Sequence, residues 1–475
     1  MAYNRKPNYH FSDKNQTGID KIPLGRMIIV EDYDGEVKTF LKKSNTGIDS
    51  STTIDSFVKS QDINHSELVE YQKIQGAIGN INSPLLDLPL NNSLAMKQGV
   101  GSVTFSRDTK ATYIDRYGVL QSADIDEPRF EKDGLLIEGS STNLLTYSEE
   151  FDNDDWSKTQ CTITENDTIA PDGTNTADKL APSSDDDDYA LIGQRYSTDV
   201  KKDDTYSVSV FVKKGNADKI TLNAYFKDET GYNFSFTFST ETASSSNMKV
   251  QKIANGWYRL SYKVVATEDN DDAYVAARVW GIGRDVDGTT DDYNYVWGFQ
   301  LEKLPFATSY IPTADSAVTR DGDVCKVDAK DNIPLLDNVA FSMAFNTFCV
   351  NTDDYHNYTR VFEVAGTEAR ITSSSSGSLY GQVGGSGTVY GFGDIPRVSM
   401  QTAILISTNS SVDGAKNGVL FNDTETASNI VPSGLPIFLG TNEGGTSQLF
   451  GHIKNFKIYD KALSPIEIQL LSGGN

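Results

Sequence analysis

The sequence predicts a mainly β protein: a small N-terminal region followed by two antiparallel β-sandwich domains of jelly-roll type. Three observations lead there. Apolar and polar residues alternate at a period of two through the middle and C-terminal parts, as strands buried on one face require. Segments rich in Gly, Asp, Asn and Ser divide those runs, supplying the backbone freedom that turns need. The chain's 475 residues, 38% hydrophobic and 10% aromatic, exceed one ordinary core and suffice for two or three.

Residues 1–74 form the N-terminal region, with short apolar runs at 25–30 and 37–41 on either side of Asp34-Gly35, a dipeptide suited to a hairpin. Residues 50–57 and 66–74 are compatible with short helices, the second with Ser66 as N-cap and Glu67 and Glu70 near the positive end of its dipole. Residues 75–133 read as a connector with short hairpins, since Pro84 and Pro89 break any longer element. Leu85, Leu86, Leu88 and Leu90 there are more apolar surface than solvent tolerates, so a neighbouring chain or the next domain should cover them. Small paired strands follow at 111–114, 118–121 and 134–138, with Asp115-Arg116 and Asp133-Gly134 as turn dipeptides.

Residues 134–319 are the best-patterned block and the first sandwich. Tyr206, Val208, Val210 and Val212 alternate with Ser207, Ser209, Phe211 and Lys213; Ile220, Leu222 and Ala224 alternate with Thr221, Asn223 and Tyr225. The same period runs through Phe234, Phe236 and Phe238, through Tyr258, Leu260, Tyr262 and Val264, and through Tyr293, Tyr295, Trp297, Phe299 and Leu301. Residues 320–475 are the second sandwich, with strands expected at 339–350, 358–364, 369–373, 398–407, 418–422, 436–439 and 451–459. In the last of these, Asn455 and Lys457 make the alternation slip by one place. Ser464, Pro465 and Glu467 then spell a capping box with proline at the first helical position.

The balance of 42 Lys plus Arg against 66 Asp plus Glu, a formal charge of −24, opposes binding to nucleic-acid phosphates and anionic lipid. No apolar run is long enough to cross a bilayer, and the N-terminus lacks a signal-like stretch, so synthesis in a cytoplasm is expected. Cys161, Cys325 and Cys349, an odd number without metal-ligand spacing, indicate buried thiols rather than a disulfide framework.

Catalytic patterns are sparse. His10, His65, His356 and His452 lie in none of the zinc spacings, and no G-x-S-x-G elbow occurs. No cofactor is implied, and the expectation is a protein that is not an enzyme. The acidic run Asp185, Asp186, Asp187 and Asp188 offers oxygen ligands of the kind Ca²⁺ takes, although a linear run more commonly forms a solvated loop than a wrapped ion site. Exposed rings suit the faces of sugars. Tyr225, Tyr232 and Trp280, bordered by polar residues, and Tyr355, Tyr358, Tyr380 and Tyr390, in glycine- and serine-rich segments, are therefore the candidate glycan contacts. All four tryptophans, Trp156, Trp257, Trp280 and Trp297, fall in the first sandwich, where most should be core.

Three stretches carry a resemblance. FSRDTKATYIDRYG over 105–118, followed by GSSTNLLTYS over 139–148 and by Trp156, resembles a segment recurrent in tailed-bacteriophage tail-fibre and tail-spike-like proteins, where it precedes a carbohydrate-binding-module-like β-sandwich. VWGFQLEKLPFATSYIPT over 296–313, with AVTRD after it, resembles the closing strand and exit segment of that module. GHIKNFKIYDKALSPIEIQLLS at 451–472 resembles the last strand and closing helix of laminin-G-like, concanavalin-A-like domains. The resemblance implies a structural and adhesive virion component, made in the host cytoplasm and carried on the phage tail or another external appendage. It implies a homotrimer, docked to other virion proteins through residues 1–74 and recognising host surface polysaccharide, with no nucleic-acid partner and no membrane insertion. The alternatives are a head-fibre, collar or baseplate spacer and, less favoured for want of β-helical repeats, a polysaccharide depolymerase.

Overall fold

Period-two alternation specifies strands but not their partners, and in this fold hairpin neighbours are joined by partners that lie far apart in the chain. The computed structural model describes residues 10–12, 27–31, 37–42, 57–59, 73, 76–183, 191–197, 200–226, 231–269, 274–280, 291–328, 341–349, 359–365, 370–373, 378–382, 389–394, 401–407, 412–417, 419–425 and 435–471. These fall into two units, one containing residues 1–83 and most of the closing helix, the other residues 84–463.

In the first unit, Met27–Glu31 pairs antiparallel with Val37–Lys42, as the flanking apolar runs require. His10–Ser12 adds to this hairpin in parallel and Phe57–Lys59 antiparallel, giving four strands. The expected turn at Asp34-Gly35 and the expected helices at 50–57 and 66–74 lie outside the described residues, save that Phe57 opens a strand and Lys73 is helical. The closing helix Pro465–Leu471 has its capping box: Ser464 N donates to Glu467 Oε2 at 2.7 Å, and Glu467 N to Ser464 Oγ at 3.4 Å.

The second unit holds both sandwiches. The first has two antiparallel six-stranded sheets. One runs Ser157–Thr159, Leu191–Ser197, Tyr274–Trp280, Lys219–Phe226, Gly231–Thr237 and Thr242–Ala243; the other runs Cys161–Thr168, Ala177–Pro182, Asn294–Glu302, Thr205–Lys214, Trp257–Val265 and Lys249–Lys252. Val208, Val210, Leu222, Leu260 and Phe299 meet between them with no exposed surface. Trp156 stacks on Phe299 at 5.4 Å and takes the edge of Phe151 at 4.9 Å, which places it in the core as expected.

The other sandwich pairs an eight-stranded sheet with a seven-stranded one. Here the linear division at residues 134 and 320 is corrected. In the larger sheet, Gly451–Tyr459 has Phe341–Cys349 on one side; on the other it has both Leu86–Leu88 and Gly134–Ile137, with Arg129–Glu131 outside the latter. In the smaller sheet, Val103–Ser106 closes the edge beside Val324–Val327. The segment read as a connector, 75–133, thus supplies three strands of the C-terminal sandwich, and the first sandwich is an insertion within it. Leu86, Leu88 and Leu90 are fully buried in that core, which answers what covers them. The slip in the last strand is a bulge: Asn455, at φ 53°, falls where the register with Phe341–Cys349 shifts, and its Nδ2 donates to Asn346 Oδ1 at 2.8 Å. The 129–137 hairpin turns one place earlier than expected, since Glu131 pairs with Gly134 and leaves Lys132 and Asp133 as the turn. Gly134 has φ 117°, and a Cβ there would stand 2.6 Å from the Ile453 carbonyl oxygen.

Candidate functional site

The chain crosses between the sandwiches twice, and the crossings pair side by side as Ser141–Asn143 against Val318–Arg320. Around them residues of the resembling stretches, joined by Arg129, Glu138 and Asp323 from just outside those stretches, make one buried polar lattice. Arg107, Arg129 and Arg320 are each no more than 1% exposed. Arg107 Nη1 donates to Asp323 Oδ1 at 3.1 Å; Arg129 donates to Asp323 Oδ2 at 2.5 Å and to Glu138 Oε2 at 2.8 Å; Arg320 Nη2 lies 3.5 Å from the same Glu138 oxygen. Burial alone would raise the Glu138 carboxyl, but Arg320 and Arg129, with Ser309 donating both its N–H and its hydroxyl, hold it down at about 2. Such charges persist in an interior only when paired and hydrogen-bonded.

Asn143 meets all four of its hydrogen-bonding valences. Its Nδ2 donates to the Phe299 and Ile311 carbonyls, and its Oδ1 accepts from the Leu145 and Leu301 N–H groups. Ser148 shares a hydrogen bond with the Tyr310 hydroxyl at 2.7 Å, and Tyr310 donates to Glu149 at 2.9 Å. Burial pushes the Glu149 carboxyl up to about 7, with Asp172 and Glu150 adding to the shift against the Tyr310 hydrogen bond. These residues fasten the entry of the inserted sandwich to its exit.

Beside the lattice lies a cleft of about 790 Å³. Its floor is the outer face of the second sheet of the inserted sandwich, and its opposite wall comes from the 111–120 hairpin, the 131–138 segment, residues 305–310 and His452. The floor is built by register. Arg259 stands between Phe211 and Gln251 in one cross-strand row, Ser261 stands between Ser209 and Lys249 in the next, and Lys263 continues the line. On the wall, Glu131 Oε1 accepts from Ile114 N at 2.8 Å and its Oε2 meets His452 Nε2 at 3.0 Å. Tyr113 and Phe306 supply rings, while Phe234 and Tyr262 meet edge to face at 4.9 Å on the core side of the sandwich. The arrangement offers hydrogen-bond donors and acceptors on a rigid strand surface with apolar faces beside them, the composition of a small-ligand site.

Of the seven aromatic candidates, Tyr225 does not line this cleft. Tyr225 is half-buried on the other sheet of the inserted sandwich. In that sheet Trp280 pairs with Thr221, Tyr225 with Ala276, and Tyr232 with Ala224, so Tyr225 and Trp280 stand on adjacent strands four places apart in register rather than together. Tyr380 and Tyr390 belong to paired strands, Ser378–Gln382 and Val389–Asp394, rather than to loops. Tyr355 and Tyr358 lie outside the described residues, as do Asp185, Asp186, Asp187 and Asp188. Among the described residues no group of three or more His, Cys, Asp or Glu has the geometry of a metal site, and no helix is long and apolar enough to cross a membrane. Cys161, whose Sγ donates to the Leu191 carbonyl at 3.1 Å, and Cys325 form no disulfide among the described residues, and burial, then Asp323, pushes Cys325 up to about 12. Arg259 and its row were not singled out from sequence; the one available signal was their polar place in the alternation of residues 257–265.

No protein-family profile matches the chain, and no curated protein matches it. Among solved structures, the chain is similar to domain 4 of a GH43 extracellular arabinanase from Geobacillus stearothermophilus in complex with arabinotriose, at 19% identity and a TM-score of 0.26, covering 35% of this chain and 82% of that one. It is similar to a Trypanosoma rangeli sialidase in complex with a difluoro sugar acid at 10% identity and a TM-score of 0.25, covering 66% of this chain and 63% of that one. A third is the mouse laminin alpha1 chain, domains LG4-5, at 8% identity and a TM-score of 0.20, covering 56% and 88%. All three scores fall below the level at which a shared fold supports further argument.

Proposed function

We propose that this chain is an adhesive component of a tailed-phage particle and holds host surface glycan in the cleft between its two sandwiches. The observation that carries the reading is the cleft floor, where Arg259, Ser261, Lys249 and Gln251 present polar groups on fixed strands beside aromatic rings. Sugars are recognised by that combination of fixed hydrogen-bonding groups and apolar faces. The phage context rests on the three resembling stretches alone. Trimerisation and docking through residues 1–74 come with it, and the mass in solution by light scattering tests the first.

The test uses the full chain. Saturable binding to a panel of bacterial surface polysaccharides, with no reducing ends released in the same tube, supports an adhesin. Released ends would replace the reading with a depolymerase, and absence of binding across the panel would overturn it. A second reading, a virion spacer, is favoured by the doubly crossed, ion-paired junction, which stiffens the link between sandwiches. Electron microscopy of labelled particles separates the two, since only a distal position suits an adhesin.

A further inference from the structure

Four arginines are buried near the cleft, and three of them have carboxylate partners. Arg107, Arg129 and Arg320 each lie within 4.0 Å of Asp323 or Glu138. Arg259 differs. It is 8% exposed, its Nη2 donates to Ser209 Oγ at 2.9 Å, and its guanidinium stacks over the Phe211 ring at 5.3 Å. Its Nε, like those of Arg129 and Arg320, has no hydrogen-bond partner; what sets it apart is that among the described residues it makes no ion pair.

The nearby carboxylates are already engaged. Glu302 accepts from the Ser141 hydroxyl, the Thr308 N–H and the Thr308 hydroxyl; Glu138 is held by two arginines and Ser309; Glu131 is held by Ile114 N and His452. A desolvated cation left short of acceptors at the floor of a cleft is a site in want of an anion. Burial lowers the Arg259 pKa, with Glu302 and Glu138 opposing the shift from a distance. An arginine nonetheless remains charged at neutral pH.

We infer that Arg259 is the anchor for a carboxylate carried by the bound sugar, so that the cleft selects acidic saccharides such as uronates or 2-keto sugar acids. The inference rests on the proposal that this cleft holds glycan. A planar guanidinium matches a carboxylate through two parallel hydrogen bonds. A singly charged group fits better than a phosphate, because Glu131 and Asp133 stand on the facing wall and would repel the larger charge. Ser261 and Gln251, on the same rows, are placed to accept and donate to the ring hydroxyls.

The experiment measures the full chain against matched oligosaccharide pairs, each a carboxylated member and the same sugar with its carboxyl reduced to an alcohol. Phosphorylated members form a third arm. Binding of the carboxylated member should exceed that of its reduced partner at least tenfold. Arg259→Gln should erase that difference, while Arg259→Lys, which keeps the charge but loses the fork, should retain part of it. Circular dichroism melts of both variants confirm folding, and if Arg259→Gln melts early the lysine variant alone decides. Equal binding of both members overturns the carboxylate anchor and leaves glycan binding standing. Preference for the phosphorylated arm overturns the carboxylate assignment. No binding to any member overturns both readings.

Discussion

Removing residues 1–133 should destroy the C-terminal sandwich, although every residue of its expected span, 320–475, would remain. The truncation strips Leu86, Leu88, Leu90 and Phe105 from a core in which the leucines have no exposed surface and Phe105 only 9%. At about 2 kcal/mol for each buried side chain the loss is roughly 8 kcal/mol. It also removes Arg107 and Arg129, leaving Asp323 fully buried without either cation, a further cost of about 3–5 kcal/mol. Together these match the whole stability of an ordinary domain, about 5–15 kcal/mol. The comparison is between fragments 84–475 and 134–475, read by amide hydrogen exchange over Phe341–Cys349 and Gly451–Tyr459. The longer fragment should protect both strands, and the shorter should exchange them at the rate of an open chain. Equal protection in the two fragments would refute the insertion topology and restore two sandwiches in tandem.

Asp323→Asn removes one carboxylate shared by two buried arginines and should lower the melting temperature by roughly 6–20 °C, at about 3–5 kcal/mol for a broken buried pair and about 2–4 °C per kcal/mol. Asp124→Asn, which breaks the solvent-exposed Lys110–Asp124 pair, should leave the melt unchanged. Glu149, with its pKa raised to about 7 from 4.5, makes the fold less stable as pH rises from 4.5 through 7. Glu149→Gln should therefore gain on the parent over that window by as much as roughly 3 kcal/mol, read from urea midpoints at several pH values. Glu138 has the opposite sign: its pKa is lowered to about 2, and its stabilisation is lost as pH falls from 4.5 through 2, so Glu138→Gln should be least damaging in acid.

The strands were legible because alternation is a local property. Tyr206 to Val212 and Tyr258 to Val264 read as half-buried from seven residues each, and they pair with one another in the fold. Sheet membership was not legible, because the pairing of Leu86–Leu88 with Gly451–Tyr459 spans most of the chain, and a three-residue strand specifies no register. Four closely spaced leucines did announce a missing cover, but not which segment supplied it. The capping box at Ser464 and the slip at Asn455 were legible for the opposite reason, since each is written within a few neighbours. At the candidate site the alternation marks Arg259 as facing away from the core. Its burial, and hence its chemistry, comes from the 305–310 and 131–138 segments that fold over it.

The stretches that carry the resemblance report architecture rather than recognition. Their Arg107, Asn143, Ser148, Tyr310 and Arg320, with Arg129, Glu138 and Asp323 from outside them, are spent on fastening one sandwich into another, through hydrogen bonds that leave little capacity for a ligand. A chain could share all of these and bind a different sugar or none. Specificity must then reside in residues the junction does not use, and the cleft floor is where such residues meet the lattice. Arg259 lies on the sheet that forms the cleft floor, and it is left out of the ion pairing that joins Arg107, Arg129 and Arg320 to Asp323 and Glu138. The junction thus supplies a stiff frame, and the neighbouring rows of Arg259 and Ser261 are free to vary with the ligand without disturbing it.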